Sequence, residues 1–391
     1  MGDISRHPVI AWTEREQAHT SRWRSESGAL PPRRVVIADD TLTADAAYRL
    51  ACAGTGMLWR GDFQNARQLL QALARRADRP SKKSTKAPSP ATSSPAEAFH
   101  LHRQAQAQRA RTLGMLLIPF DADHSVPLRR APDVRQACTE AYGPADEPYV
   151  ASLRELLGLI SAHEWRKKGV VIDALKHDGP QRIHPHYGVF APVRGEYVAL
   201  VAEAPLPRSL GSNSLAFDIG TGTGVLAAVL ARRGIAHVVA TDQDPRALAC
   251  ARENLTRLGL IDQVELMAAD LFPPGRAALV VCNPPWLPAR PSSPIEYAVY
   301  DPDSRMLRGF LAGLTAHLAP GGEAWLVLSD LAEHLGLRPR AELLAAIDAA
   351  GLTVLGRLDA RPTHGKATDA SDPLHAARAA EVTSLWRLAA L

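Results

Sequence analysis

At 391 residues, 46% of them hydrophobic and 22% charged, the chain has the composition of an ordinary globular protein and the length for more than one domain at roughly 150 residues each. No apolar run approaches the roughly 18 residues needed to span a bilayer, and the N-terminus, MGDISRHPVIAWTEREQ, lacks the apolar core of a secretory signal; a cytoplasmic protein with no membrane partner is expected. Four scattered cysteines (Cys52, Cys138, Cys250, Cys282) without C-x-x-C spacing argue against a zinc site or a disulfide framework, and a formal charge of +4 suits an RNA or ribosome-associated partner without requiring one.

In chain order, GDFQNARQLLQALARRA places Phe63, Ala66, Leu69, Leu70 and Leu73 at helical spacing behind Asp62 as N-cap, which predicts a small helical module over residues 1–78. Residues 79–97, RPSKKSTKAPSPATSSPAE, carry no large apolar side chain whose burial would offset the entropy of ordering, so a flexible linker is expected there. Beyond it, EAFHLHRQAQAQRARTLG reads as a basic helix, most simply a solvated face. PYVASLRELLGLISAHEW reads as an amphipathic helix with Val150, Leu153, Leu156, Leu157 and Ile160 on one side. Residues 98–164 are therefore expected to form a helical substrate-recognition region.

From about residue 213 short apolar runs alternate with helical ones. LAFDI (215–219) leads into GVLAAVLARRG, HVVAT (237–241) into PRALACARENLTRLGL, and VELMA (264–268) and ALVVC (278–282) follow. This alternation predicts a parallel sheet of βαβ units over residues 165–391. Gly234 should end the first helix, and Asp244-Pro245 should start the second. Further on, SRMLRGFLAGLTAHLAPGG predicts a helix closed by Pro320-Gly321, followed by the strand EAWLVLS and the helix RAELLAAIDAAG. LTVLGRLDA and EVTSLWRLA then form two strands with only a loop between them, hence an antiparallel final pair. That loop, Arg361 to Ala377, is polar and long enough for a lid.

Between the first strand and its helix lies DIGTGTG, Asp218 to Gly224. Gly220, Gly222 and Gly224 permit positive φ and close approach of a ligand to the backbone. A dinucleotide fingerprint would need Gly or Ala where Val225 stands, which counts against a nicotinamide oxidoreductase. Asp242, about 20 residues past the first glycine, is placed to accept from ribose hydroxyls. Asp270, in AADLF, is placed to accept from an adenine amine. Asp218, at the strand end, can order the loop through its amides or face the ligand, and is expected near the site as part of the cofactor-binding set. Thr221, Thr223 and Leu271 complete the expected cofactor-binding set.

The fourth strand ends in Asn283-Pro284-Pro285-Trp286. Ligands of open α/β sheets bind at the carboxyl ends of the strands, so this segment should face the reacting group. Asn283 offers a side-chain oxygen, and Pro284 a carbonyl restrained by the diproline. Two such acceptors can grip both N–H groups of a planar NH2 and orient its delocalised lone pair, while Trp286 offers an aromatic face. His184 and His186, in RIHPHYGVF, have no further ligand nearby in sequence; a structural or substrate-lining role is expected, and no metal.

These residues resemble class I S-adenosylmethionine (SAM) methyltransferases carrying an (N/D)PP(Y/F/W) motif, and within them the HemK-type glutamine N5-methyltransferases. FDIGTGTGVLA, ATDQDPRALACARENL, AADLF and VCNPPW match that family's motifs in order and spacing. Upstream, RIHPHYGVFAPVRGEYVALV is similar to its IPRPDTE segment, with Pro192, Arg194 and Glu196 in corresponding places. The resemblance implies a Rossmann-like sheet of seven strands with an antiparallel last hairpin, SAM as cofactor, and methylation of a glutamine amide in a peptide release factor. Trp286 stands where those enzymes usually have tyrosine, and the first 160 or so residues do not resemble their short helical domain. Relatives acting on exocyclic amines of adenine or guanine in RNA or DNA share the motif. A nucleic-acid acceptor is thus the first alternative, and a catalytically silent SAM-binding regulatory module, disfavoured by the intact NPPW, is the second.

Overall fold

The computed structural model describes residues 7–79, 94–144, 146–177, 179–211, 215–291, 294–362, 369–370 and 372–391. The chain divides into two compact units, Met1–Ser93 with His100–Glu164, and Ser94–Phe99 with Trp165–Leu391.

The first unit corrects the expectation of a mainly helical N-terminal region. It is a six-stranded sheet in the order β1-β2-β6-β5-β4-β3, built from β1 (Val9–Glu14), β2 (Gln17–Trp23), β3 (Arg34–Ala38), β4 (Thr55–Trp59), β5 (Leu116–Phe120) and β6 (Tyr149–Ser152). β3, β4 and β5 run parallel, as the crossover helices Ala44–Cys52 and Phe63–Ala77 require. Residues 1–78 and 98–164 are therefore not two helical modules. Strands from both parts share the sheet, with Met57 paired to Leu116 and Arg22 to Tyr149. The helix Phe63–Ala77 has the expected buried face, Phe63, Ala66, Leu69, Leu70 and Leu73, and Asp62 caps it by accepting from the Gln64 amide at 2.9 Å. PYVASLRELLGLISAHEW is not one helix: its first residues are β6, and the helix runs Leu153–Lys168. Of the expected linker, residues 80–93 lie outside the described residues, and Pro95–Glu97 already begin the helix Pro95–Leu113.

The second unit opens with a two-residue antiparallel hairpin, β7 (Val170–Val171) with β8 (Arg182–Ile183). Its main sheet has seven strands: β9 (Leu215–Ile219), β10 (His237–Asp242), β11 (Val264–Ala268), β12 (Ala277–Cys282), β13 (Leu318–Ser329), β14 (Leu352–Ala360) and β15 (Thr383–Ala390). Their order is β11-β10-β9-β12-β13-β15-β14. All neighbours are parallel except β15, which is antiparallel to both β13 and β14, as expected. Period-two alternation divides the strands between two faces. Ala216, Leu279, Val281 and Trp325 pack on one side with the helices Gly195–Glu203 and Val225–Arg232. Phe217, Val280, Cys282 and Leu326 pack on the other with the helices Arg305–His317 and Arg340–Ala349.

Gly234 follows the helix Val225–Arg232 at φ +89°, and Asp244 caps the helix Pro245–Arg257 through the Arg246 amide at 2.8 Å. The helix expected to run to Pro320-Gly321 ends instead at His317, because Leu318 already pairs with Ala277 of β12. Within the expected lid, residues 363–368 and 371 lie outside the described residues, whereas His375–Ala380 form a short helix and not a loop.

Strand order reverses between β9 and β12: β10 and β11 follow on one side of β9, and β13 continues on the far side of β12. In open α/β sheets such a reversal is where ligands bind, at the carboxyl edge of the strands. Register aligns Ile219 with Thr241 and with Cys282, so DIGTGTG, Asp242 and NPPW all leave the sheet at this edge.

Candidate functional site

The glycine loop is fastened to the end of β10. Gly220 and Thr221 both donate their amides to the Thr241 carbonyl, at 2.9 and 2.8 Å, and Gly222 donates to Asp242 Oδ2 at 3.0 Å. Gly220, Gly222 and Gly224 have φ of +73°, +55° and +80°, a region costly for any other residue. Their surroundings differ. A Cβ on Gly220 would lie 2.7 Å from Met306 Cε and one on Gly224 would lie 3.1 Å from Ala251 Cβ, whereas one on Gly222 would meet nothing within 4 Å. Gly222 is therefore the glycine whose outer side is open.

Asp218 is almost fully buried at the end of β9 and orders this loop. Its Oδ2 accepts from Thr221 Oγ1 at 2.7 Å and from the Ala227 amide at 3.0 Å. Burial pushes its pKa up to about 6 against those two stabilising bonds. Thr223 is buried as well, its carbonyl accepting from Asn254 Nδ2 at 3.1 Å. Asp242 accepts from Gly222 through one oxygen and from the Asp244 amide through the other, at 2.9 Å, and burial raises its pKa too. A carboxylate has about four acceptor positions, so two backbone donors leave Asp242 capacity for ligand hydroxyls.

Asp270 is exposed beyond β11 and lies 3.2 Å from Arg305. Leu271 takes φ +77°, a strained conformation for a branched residue, and its carbonyl accepts from buried Thr241 Oγ1 at 2.5 Å.

At the end of β12, Trp286 donates its indole N–H to Asn283 Oδ1 at 2.9 Å. The indole packs against the buried cluster beneath the sheet edge, and the Arg194 guanidinium carbon sits 4.9 Å from its ring centroid. Its aromatic surface is thus already partnered within the chain.

Residues 182–339 match the family model described as methyltransferase small domain. That segment is similar to this family over its length. A release factor glutamine methyltransferase from Cereibacter sphaeroides is 39% identical over 149 residues, 37% of this chain and 50% of that protein. A ribosomal RNA small subunit methyltransferase C from Alcanivorax borkumensis is 35% identical over 143 residues, 36% of this chain and 40% of that protein. The match thus spans half or less of these relatives' length. The solved ribosomal protein L11 methylase from Lactobacillus delbrueckii subsp. bulgaricus aligns over 52% of this chain and 83% of its own, at 18% identity and a TM-score of 0.36.

Every expected site residue, from Asp218 to Trp286, falls inside the matched segment. Residues that the sequence reading left without a role also converge there. Buried Asp301 caps the helix Arg305–His317 by accepting from the Met306 and Leu307 amides, at 3.0 and 3.1 Å, which holds that helix against the glycine loop through Met306. Buried Arg338 donates to Ser304 Oγ at 3.2 Å and to the Trp286 carbonyl at 3.4 Å, tying the NPPW segment to the Asp301 turn. Neither residue lies in a motif, so only an arginine near a helix start and an Asp-Pro pair marked them in the sequence.

His184 and His186 lie within the matched segment as well. His184 Nδ1 is 2.6 Å from the Arg166 carbonyl, and His186 Nε2 is 2.7 Å from Glu253, so both fasten the segment after β8 to neighbouring elements. Among the described residues no group of three or more His, Cys, Asp or Glu side chains is placed to hold a metal, and no helix is long and apolar enough to cross a membrane. Three of the four cysteines are buried thiols, and Cys52 is exposed.

Proposed function

We propose that the chain transfers a methyl group from SAM to a planar NH2 acceptor, most specifically the side-chain amide of a protein glutamine of the release factor type. The observation that carries this reading is the adjacency of Asn283-Pro284-Pro285-Trp286, at the end of β12, to the glycine loop, at the end of β9, on the edge where strand order reverses.

The residues present fit SAM. Gly222 leaves open space over the loop, Asp242 retains acceptor capacity for two ribose hydroxyls, and Asp270 stands beyond β11 for the adenine amine. When bound, SAM supplies a methyl group on a sulfonium: the C–S electron pair stays with sulfur as the N–C bond forms, and the nitrogen then loses a proton to solvent. Asn283 Oδ1 and the Pro284 carbonyl hold the acceptor's two N–H groups, which orients the nitrogen and stabilises the positive charge it develops. The indole hydrogen bond uses one of the two lone pairs on Asn283 Oδ1 and leaves the other for the acceptor.

The glutamine acceptor draws on the 39% identity to a release factor glutamine methyltransferase, while the relative named for ribosomal RNA makes a nucleic-acid base the competing outcome. The test is transfer of tritiated methyl from SAM to purified release factor and, in parallel, to ribosomal RNA from cells lacking the gene. Label on the release factor, lost when its Gly-Gly-Gln glutamine becomes alanine, establishes the glutamine reading; label on RNA alone replaces it. Asn283→Ala should cut transfer at least a hundredfold with SAM affinity within about twofold of wild type. Full turnover in that variant would overturn the clamp.

A further inference from the structure

We infer that Arg194 is a positioning residue for the acceptor clamp: by pressing on Trp286 it keeps the indole N–H on Asn283 Oδ1, and so decides which end of the Asn283 amide the acceptor meets. The inference rests on the reading of Asn283 given above and extends it to a residue outside the NPPW motif.

The amide of Asn283 is a rotor with a donor end and an acceptor end. Only the acceptor end can receive an N–H of the incoming NH2; a flipped amide would set donor against donor. The indole N–H, at 2.9 Å, fixes the oxygen on its side. Phenylalanine has no such donor, so the aromatic residue here orients the amide as well as filling space.

The indole must itself be held. It is only partly buried, packing on one side against the cluster that includes Met306 and Leu307. The Arg194 guanidinium lies 4.9 Å from its centroid. Arg194 is anchored in turn. Its Nε donates to Glu196 Oε1 at 3.0 Å, and its Nη2 lies 3.0 Å from Glu381 Oε2. Glu381 has a fully buried side chain and accepts from Ser329 Oγ at 2.6 Å through its other oxygen. Ser329 ends β13, and Glu381 stands two residues before β15; the Asp330 amide donating to the Val382 carbonyl at 3.0 Å and the Val382 amide donating to Asp330 Oδ1 at 2.7 Å lock these two strand ends together. The chain of contacts therefore runs from the β13–β15 edge through Arg194 to the indole and on to Asn283.

Two carboxylates with little or no exposure face one guanidinium here. Removing the charge would strand both, so Arg194→Ala risks unfolding the unit. Arg194→Lys keeps the charge beside Glu196 and Glu381 and loses the planar group that lies over the ring.

The test uses the full-length chain labelled with 5-fluorotryptophan, the Trp286 resonance being assigned by its absence in Trp286→Phe. Arg194→Lys should move or broaden that resonance, leave SAM affinity within about twofold, and lower kcat about 10- to 100-fold on whichever acceptor takes label, as expected when a reacting group is displaced by an ångström or so. An unmoved resonance overturns the inference whatever the activity. A moved resonance with wild-type kcat overturns it also, because the indole would then not govern the clamp. If the wild-type chain labels neither release factor nor RNA, the proposed function falls, and the resonance alone still decides whether Arg194 holds the indole.

Discussion

Substituting alanine at Gly222 and, separately, at Gly224 separates a ligand-facing glycine from a packing one within the same loop. At Gly222, φ is +55° and a Cβ would meet no atom within 4 Å. The cost to folding is then only that of placing an L-residue in the left-handed region, about 1–2 kcal/mol. At Gly224, φ is +80° and the Cβ would lie 3.1 Å from Ala251 Cβ and 3.2 Å from Ala251 Cα, a backbone atom that cannot swing away. Overpacking adds about 1–3 kcal/mol to the same conformational cost, for about 2–5 kcal/mol in all. In thermal unfolding without ligand, Gly224→Ala should lower Tm about 1.5- to 4-fold further than Gly222→Ala. Calorimetric titration with S-adenosylhomocysteine should rank the two the other way: a methyl pushed into a ligand lying on the loop costs about 1–3 kcal/mol, roughly 5- to 150-fold in Kd. A Gly222→Ala variant that binds the nucleoside as tightly as wild type would refute the placement of the cofactor against this loop.

Asp218, with its pKa near 6 against an ordinary 3.8, makes folding depend on pH. In the window between those values the folded chain binds the proton that the unfolded chain releases, so stability is fullest below 3.8 and falls as pH rises through about 6. The loss amounts to about 3 kcal/mol at neutral pH. Asp218→Asn, whose amide oxygen can take over the bonds from Thr221 and Ala227, should therefore gain stability over wild type between pH 5 and 7 in denaturant titrations; a difference independent of pH across that window would contradict the assignment. Trp286→Phe keeps the ring and loses the donor to Asn283, so kcat should drop about 10- to 100-fold while SAM affinity holds. Wild-type kcat in that variant would return the aromatic residue to a packing role.

The glycine loop, the strand–helix alternation and the antiparallel last pair of the second unit were readable in advance because their physics is local. Alternation in Ala216/Phe217 and Leu279/Val280 already assigns those residues to opposite faces, and the left-handed conformations at Gly220, Gly222 and Gly224 need no knowledge of anything distant. The first unit was misread because RVVIA, TGMLW and LLIPF are short apolar runs whose meaning comes from their neighbours. β2 finds its partner in β6, far along the chain, and nothing within QAHTSRW announces it. The helical spacing of Leu69, Leu70 and Leu73 was real, but it described a crossover helix, not a helical domain.

The sequence by itself determined that a glycine loop and an NPPW segment would emerge from strand ends, since glycine and proline restrict the backbone wherever they stand. Tertiary structure alone decided what those segments touch. That Arg194 lies over Trp286, that Glu381 and Ser329 anchor it, and that Arg338 holds the Trp286 carbonyl all depend on β13 lying between β12 and β15. Strand order is set by the burial of whole faces of the sheet, a sum over the domain that no short stretch of residues encodes.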